Sequence, residues 1–310
     1  MPDEKIAGAP PLTKGQIFFR RLGSFVVLWA IMLACLFSPG SPFTRALFLV
    51  IILLLAGTGL MEFYGMVERR GVQCYKYCGL IGAVLLITGT FLNLIGALGR
   101  HDSPARVNDF ETVFVILFVL GLCVRQFVSK TNTTGIASIS TTLFGLMYVP
   151  WLLNFIQKIN FFPNVKGQYY LLFFVLITKF SDTGAYLVGS LIGKHKMIPR
   201  ISPGKTWEGF GGAIVVSTGA SLAFTYFARL KMPEMNAMHA VILGVLLSTA
   251  AVIGDLIESL FKREAGLKDS GKFFPGIGGM LDLLDSVLFN APIMYLYLRH
   301  VLTHPQLPVT

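Results

Sequence analysis

Charge is what this sequence has least of. Only 14% of its 310 residues are Asp, Glu, Lys or Arg, where a soluble globular domain carries about a quarter. Set against 54% apolar residues and 26 phenylalanines, that shortage excludes a soluble enzyme and a disordered tail. Cysteine is scarce as well. Cys35, Cys74, Cys78 and Cys123 are too few for a secreted disulfide scaffold, and Cys74 and Cys78 are spaced for neither a redox pair nor a zinc knuckle. They read as reduced packing residues. No Ser-His-Asp or Cys-His set stands out, no repeat of solenoid length recurs, and low complexity is confined to a proline-containing arm at residues 1–15.

In place of charge the chain offers apolar runs. A helix needs about 20 residues to cross a hydrocarbon core of about 30 Å. Runs of that order lie near 22–39, 46–65, 77–98, 110–128, 134–156, 168–192, 209–228, 238–257 and 284–302. The expected fold is all-α, a polytopic integral membrane protein with about nine transmembrane helices. The first run has no Ala-x-Ala-like site after it and a second run follows at once, so it reads as a retained helix. Residues 1–21 form a cytoplasmic arm, expected to be mobile in its first 15 residues. Residues 22–165 form ordinary lipid-compatible helices in which Glu62 reads as the single membrane-depth acid. Residues 166–302 form a C-terminal transmembrane region whose apolar pattern is interrupted by polar and glycine-rich clusters, and 303–310 a short tail.

Lys and Arg number 26 against 16 Asp and Glu, a balance that favours anionic partners such as phosphates and lipid headgroups. With nine spans and the N-terminus inside, 17 basic residues fall on inside segments and eight outside. The positive-inside rule then places the N-terminus and the loops near 193–206 and 262–283 in the cytoplasm, with the chain in the inner (cytoplasmic) membrane.

Three polar clusters interrupt the second half. The first, Lys179 to Tyr186, puts Asp182 mid-span, where a carboxylate costs several kcal/mol unless paired, metal-bound or wet. A one-turn pair with Lys179 would neutralise both, and Gly184 and Gly189 permit close helix contact or a break. The second, Lys194 to Gly209, contains Gly204-Lys205-Thr206. It lacks the glycine and the preceding strand of a Walker A loop, and reads as a basic turn feeding a helix that starts near Trp207, suited to phosphate.

The third cluster runs from Gly254 to Asp285. On a helix Asp255, Ser259 and Lys262 form one stripe, and Asp282 and Asp285 another. Two acidic stripes can meet across a hairpin whose connecting loop is basic and rich in glycine, including Gly278 and Gly279. Carboxylate and hydroxyl oxygens without His or Cys select a hard cation, Mg²⁺ or Mn²⁺. The rival is a structural lock in which Lys262, Arg263 and Lys268 pair the acids. Hard-metal carboxylates beside a basic loop suit phosphoryl or nucleotidyl transfer, which needs positioning and charge neutralisation rather than a nucleophilic triad. At a membrane surface the obvious nucleophile is a lipid phosphate.

The stretch Ser259-x-x-Lys262-Arg263-x4-Lys268-Asp269-x-Gly271-x3-Pro275-x2-Gly278-Gly279-x2-Asp282-x2-Asp285 resembles the C-terminal signature of the phosphatidate cytidylyltransferases, the CDP-diacylglycerol synthases. Asp182 to Tyr186 and Ser202-Pro203-x-Lys205-Thr206-Trp207-Glu208-Gly209 also resemble family motifs, in the expected order. The resemblance covers residues 175–290 and implies that CTP and phosphatidic acid give CDP-diacylglycerol and pyrophosphate, with Mg²⁺ and room for a second, monovalent cation such as K⁺. It implies metal held by Asp255, Asp282 and Asp285 with Ser259 alongside. Lys205, Lys262, Arg263 and Lys268 would grip phosphates, with Ser202, Gly278 and Gly279 in the substrate-binding motifs. Asp269 and Asp182 are left as supporting partners or further ligands. Membrane lipids are expected partners and nucleic acid is not; a homodimer is suggested by family analogy alone.

Three positions depart from the family pattern. Ile277 stands for a histidine, Leu283 for an arginine and Gly204 for a lysine, each removing a phosphate contact. A divergent paralogue, inactive or acting on another lipid phosphate, is therefore one alternative. An ion-coupled transporter is the other, and it would need matching broken segments in two halves, whereas the interruptions here crowd into residues 175–290.

Overall fold

The computed structural model of the chain describes residues 41–97, 104–129, 134–271 and 278–303, together with Ala34 and Phe37. Among the described residues, eight helices are long and apolar enough to cross a membrane. The expected first span, 22–39, lies outside them apart from Ala34 and Phe37, as do the arm at 1–21 and residues 304–310. The fold is all-α and polytopic, as the hydropathy pattern requires.

Helix α1, Pro42–Arg69, starts at Ser41, whose side chain accepts from the amide of Phe43. Helix α2 is Lys76–Leu94 and α3 is Pro104–Val128. The fourth span joins α4, Gly135–Leu146, through a π-helical turn at Met147–Trp151 to α5, Leu152–Asn160. Pro150 sits inside that turn, and its missing N–H explains the widened winding. Helix α6, Gly167–Ile192, runs unbroken, so its glycines serve contact rather than a break.

A two-stranded antiparallel hairpin follows: β1, Lys196–Ile198, and β2, Ser202–Thr206. It leads into α7, Trp207–Ala228, capped by the Thr206 side chain. Sequence reading placed a turn and a helix start near Trp207; the hairpin is added by the structure. Helix α8, Ala237–Glu264, carries Lys262 and Arg263 in its last turn, where cations favour the helix dipole. Helix α9, Met280–Tyr297, closes the bundle and ends in a second π-turn at Leu298–Leu302.

In lipid, helices gain little from excluding water, so close packing decides their association. The core is built from α1, α4, α5, α6, α8 and α9 around Tyr64, Tyr170, Phe173 and Phe174, all fully buried. Helices α6 and α7 touch backbone to backbone: a methyl group at Gly184 would lie 2.7 Å from the Gly212 carbonyl oxygen. Helices α6 to α9 pack in sequence, each against the next, and enclose the polar region of the chain.

One expectation for the first half is corrected. Glu62 is not its only membrane-depth acid, because Glu111 is buried and ion-paired to Lys158 at 2.5 Å. Asn154 Nδ2 and Trp151 Nε1 also donate to it, at 2.6 and 3.1 Å. Glu111 stands at the edge of its apolar run and Lys158 far along the chain, so only packing reveals the pair. Cys74, Cys78 and Cys123 are free thiols; Cys35 lies outside the described residues.

Candidate active site

A cavity of about 620 Å³ opens between α6, the hairpin, α7, α8 and α9. Asp182, Lys205, Asp255, Lys262, Asp282 and Asp285 all line it, so residues from three separate motifs converge on one space.

Each side chain has a local reason for its place. On α6, Lys179 and Asp182 are one turn apart and pair at 3.3 Å. On the hairpin, Glu208 in the first turn of α7 accepts from the amides of Lys194 and His195 and from His195 Nδ1. This ties the start of β1 to the helix and lets β2 carry Lys205 inward. Lys205 Nζ lies 2.7 Å from Asp255 Oδ2 and donates to the Val252 carbonyl oxygen at 3.1 Å. On α8, Ser259 Oγ donates to Asp255 at 3.3 Å.

Asp255 and Lys262 are joined on α8 by a residue that sequence reasoning left out of the site. Glu258 is completely buried, and its oxygens receive no regular hydrogen bond among the described residues. Lys262 Nζ rests against it. Carboxylate oxygens of Asp255, Glu258 and Asp285 all lie within 4.8 Å of one another. At an effective dielectric of about 20, each such pair repels by roughly 3 kcal/mol, which makes the trio costly without a cation. Its signal was present in the sequence, three residues after Asp255 and four before Lys262, but Ser259 was preferred there.

Asp285 is buried on α9 and accepts from the amide and hydroxyl of Ser286 at 2.5 and 3.0 Å. Asp282, one turn earlier, faces a different set. It pairs with Lys262 at 2.6 Å and accepts from the amides of Gly279 and Ser270 and from Ser270 Oγ at 2.8 to 3.0 Å. It caps the start of α9 while lining the cavity, and so stands apart from the acidic trio. Of the three cations expected in a structural lock, Lys262 alone pairs acids of the cluster, Asp282 and Glu258; Asp255 pairs instead with Lys205, and Asp285 has no lysine partner among the described residues. Four carboxylates, Asp182, Asp255, Asp282 and Asp285, line the cavity with three lysines, Lys179, Lys205 and Lys262, and Glu258 lies buried beside Asp255 and Asp285.

Other expected residues lie elsewhere. Ser202 lines the cavity mouth. Arg263 donates to the carbonyls of Ile201 and Leu267 and does not line the cavity. Lys268 and Asp269 are exposed on the loop. Gly278, with φ of 112°, and Gly279 shape the approach to α9 rather than the cavity wall. Leu283 packs against the main core, which gives the apolar replacement there a packing role. Ile277 lies outside the described residues. Lys179, expected only as a partner of Asp182, lines the cavity too, as does Ser286, which had not been singled out.

The sequence profile of the Cytidylyltransferase family matches residues 19–301. A protein of Staphylococcus aureus called phosphatidate cytidylyltransferase is 36% identical over 223 residues, 71% of this chain and 78% of the relative. One of Staphylococcus saprophyticus with the same name is 31% identical over 242 residues, covering 78% and 88%. A third, from Mycobacterium bovis, is 34% identical over 196 residues, covering 61% and 62%, so the match spans about three fifths of that relative.

Proposed function

The chain belongs to the cytidylyltransferase family, and from that premise we propose that it is a membrane nucleotidyltransferase joining CTP and phosphatidic acid into CDP-diacylglycerol, with release of pyrophosphate. The observation that carries this reading is the cavity on which four carboxylates and three lysines converge, with the buried Glu258 close to two of those acids. A phosphate monoester, with a second pKa near about 6, is largely dianionic at neutral pH and needs no general base. Its oxygen bonds to the α-phosphorus of CTP as the bond from that phosphorus to the bridging oxygen breaks, and the electron pair leaves with pyrophosphate.

The chain's own residues prepare that exchange. Lys205 and Lys262 turn ammonium groups toward the cavity and offset phosphate charge. Asp255 and Asp282 hold those lysines in register. The helices on every side keep the reacting oxygens in one orientation, which is where such reactions gain most of their rate. Oxygen donors alone, with three carboxylates within 4.8 Å of one another, fit a hard divalent cation held by Asp255, Glu258 and Asp285. Mg²⁺ bound there would neutralise the triphosphate and the leaving pyrophosphate.

The loops bounding the cavity belong, on this reading, to the cytoplasmic side, supported by their share of the basic residues. The test is direct. Purified protein given CTP, Mg²⁺ and phosphatidic acid should release pyrophosphate and CDP-diacylglycerol in equal amounts, and Asp282→Asn should lower turnover by at least about 10²-fold while still folding. A wild-type protein without lipid-dependent pyrophosphate release would end the assignment.

A further inference from the structure

Glu62 lies on α1, in the half of the chain that carries none of the resembling motifs, yet it reaches the loop between α8 and α9. Its Oε1 accepts from the amide of Met280 at 2.9 Å, and its Oε2 from the amide of Leu281 at 2.8 Å and from Ser270 Oγ at 3.0 Å. The first amides of a helix have no partner within it, and a carboxylate there is favoured by charge-assisted bonds and by the helix dipole.

Asp282 uses the neighbouring donors. The Ser270 hydroxyl therefore stands between two carboxylates, 3.0 Å from Glu62 and 2.9 Å from Asp282. Space is tight around this arrangement. A methyl group at Gly271 would lie 2.1 Å from Glu62 Oε1, and one at Gly279 would lie 2.5 Å from Glu62 Oε2. Two glycines of the loop thus leave the room that the Glu62 carboxylate fills.

The residue that caps the C-terminus of the same helix holds the other end of the loop. Arg70 Nη1 donates to the carbonyl oxygen of Glu264, the last residue of α8, at 3.0 Å. Helix α1 with its capping residue places an anion at the start of α9 and a cation at the end of α8, each matched to the dipole it meets.

We propose that Glu62 is a positioning residue for the reaction: it holds the start of α9 so that Ser270 and Asp282 keep Lys262 turned into the cavity. The consequence for turnover rests on the proposed cytidylyltransferase reading; the hold on the loop does not. The two are therefore tested separately.

Glu62→Gln keeps the side chain's size but turns an NH₂ group toward an amide donor. Hydrogen exchange at Met280 and Leu281 should accelerate at least tenfold, and kcat should fall at least about tenfold, the scale of a lost charge-assisted bond. The loss should not multiply with that of Ser270→Ala, because both act through Asp282. Unchanged exchange at Met280 and Leu281 overturns the proposal, as does an unchanged kcat or losses that multiply as for independent sites. If Glu62→Gln does not fold, Gly271→Ala presses a methyl group onto the same carboxylate and is held to the same readouts. A wild-type protein without activity would refute the functional reading alone, and the exchange rates would still decide whether Glu62 holds the loop.

Discussion

Lys262 Nζ lies 2.6 Å from Asp282 Oδ1 while resting on the buried carboxylate of Glu258. One ammonium group thus serves an acid on α8 and an acid on α9, and it couples the fold of the hairpin to the charge of the cavity. Removing one member of a buried pair costs about 3 to 5 kcal/mol, because the other charge is left without compensation. Lys262→Met should lower both the thermal midpoint in detergent and turnover, the latter by about 10²-fold. Adding Glu258→Gln should recover stability without recovering turnover. Recovery of both would mean that Lys262 supports the fold and does nothing for the reaction.

The contact between α6 and α7 sets the width of the cavity. A methyl group at Gly184 meets the Gly212 carbonyl oxygen at 2.7 Å, whereas one at Gly57 meets nothing within 4 Å. Gly184→Ala should part the helices and move Asp182 and Lys179 away from Lys205, lowering kcat/KM about tenfold, in line with the sensitivity of catalysis to small displacements. Gly57→Ala should leave kcat/KM unchanged. Steady-state kinetics on the two variants, side by side, separates a packing effect on the cavity from a general effect of adding a methyl group to a helix.

The hydropathy of the chain made the helices legible because each span needs only its own residues to be apolar. The eight described spans begin and end within about four residues of the expected runs, except that α8 continues seven residues past 257 to Glu264, and the Asp255, Asp282 and Asp285 stripes do meet across one hairpin. What could not be read was which polar group each acid would choose. Asp282 looked like an equal member of the acidic group, but the free amides at the start of α9 claim it. Glu258 looked like a spectator, because helical spacing alone does not say how far a side chain is buried. Glu62 and Glu111 depend on partners 208 and 47 positions away, distances at which a single sequence carries no pattern.

The acidic trio makes a prediction about metal. Activity should be abolished by a chelator and restored by Mg²⁺, since three carboxylates within 4.8 Å suit a hard cation. Asp285→Asn should raise the Mg²⁺ concentration for half-maximal pyrophosphate release at least tenfold, with a smaller change in the KM for phosphatidic acid. A midpoint for Mg²⁺ that does not move in Asp285→Asn would place the ion away from the trio.

The Glu111–Lys158 pair should behave in the opposite way to the cavity. It is buried, and Lys158 also lies over the rings of Phe155 and Tyr295, 4.4 and 5.3 Å from their centres. It joins α3 to α5 and α9, well separated in sequence from the residues that line the cavity. Glu111→Gln leaves the lysine without its counter-charge, so it should cost about 3 to 5 kcal/mol and lower the thermal midpoint, while kcat measured below the transition stays within about twofold of wild type. Glu111→Gln combined with Lys158→Met should regain much of the lost stability, because no uncompensated charge is left inside. A fall in kcat larger than tenfold in a folded Glu111→Gln protein would show that this network reaches the active site and is not confined to holding the first half together.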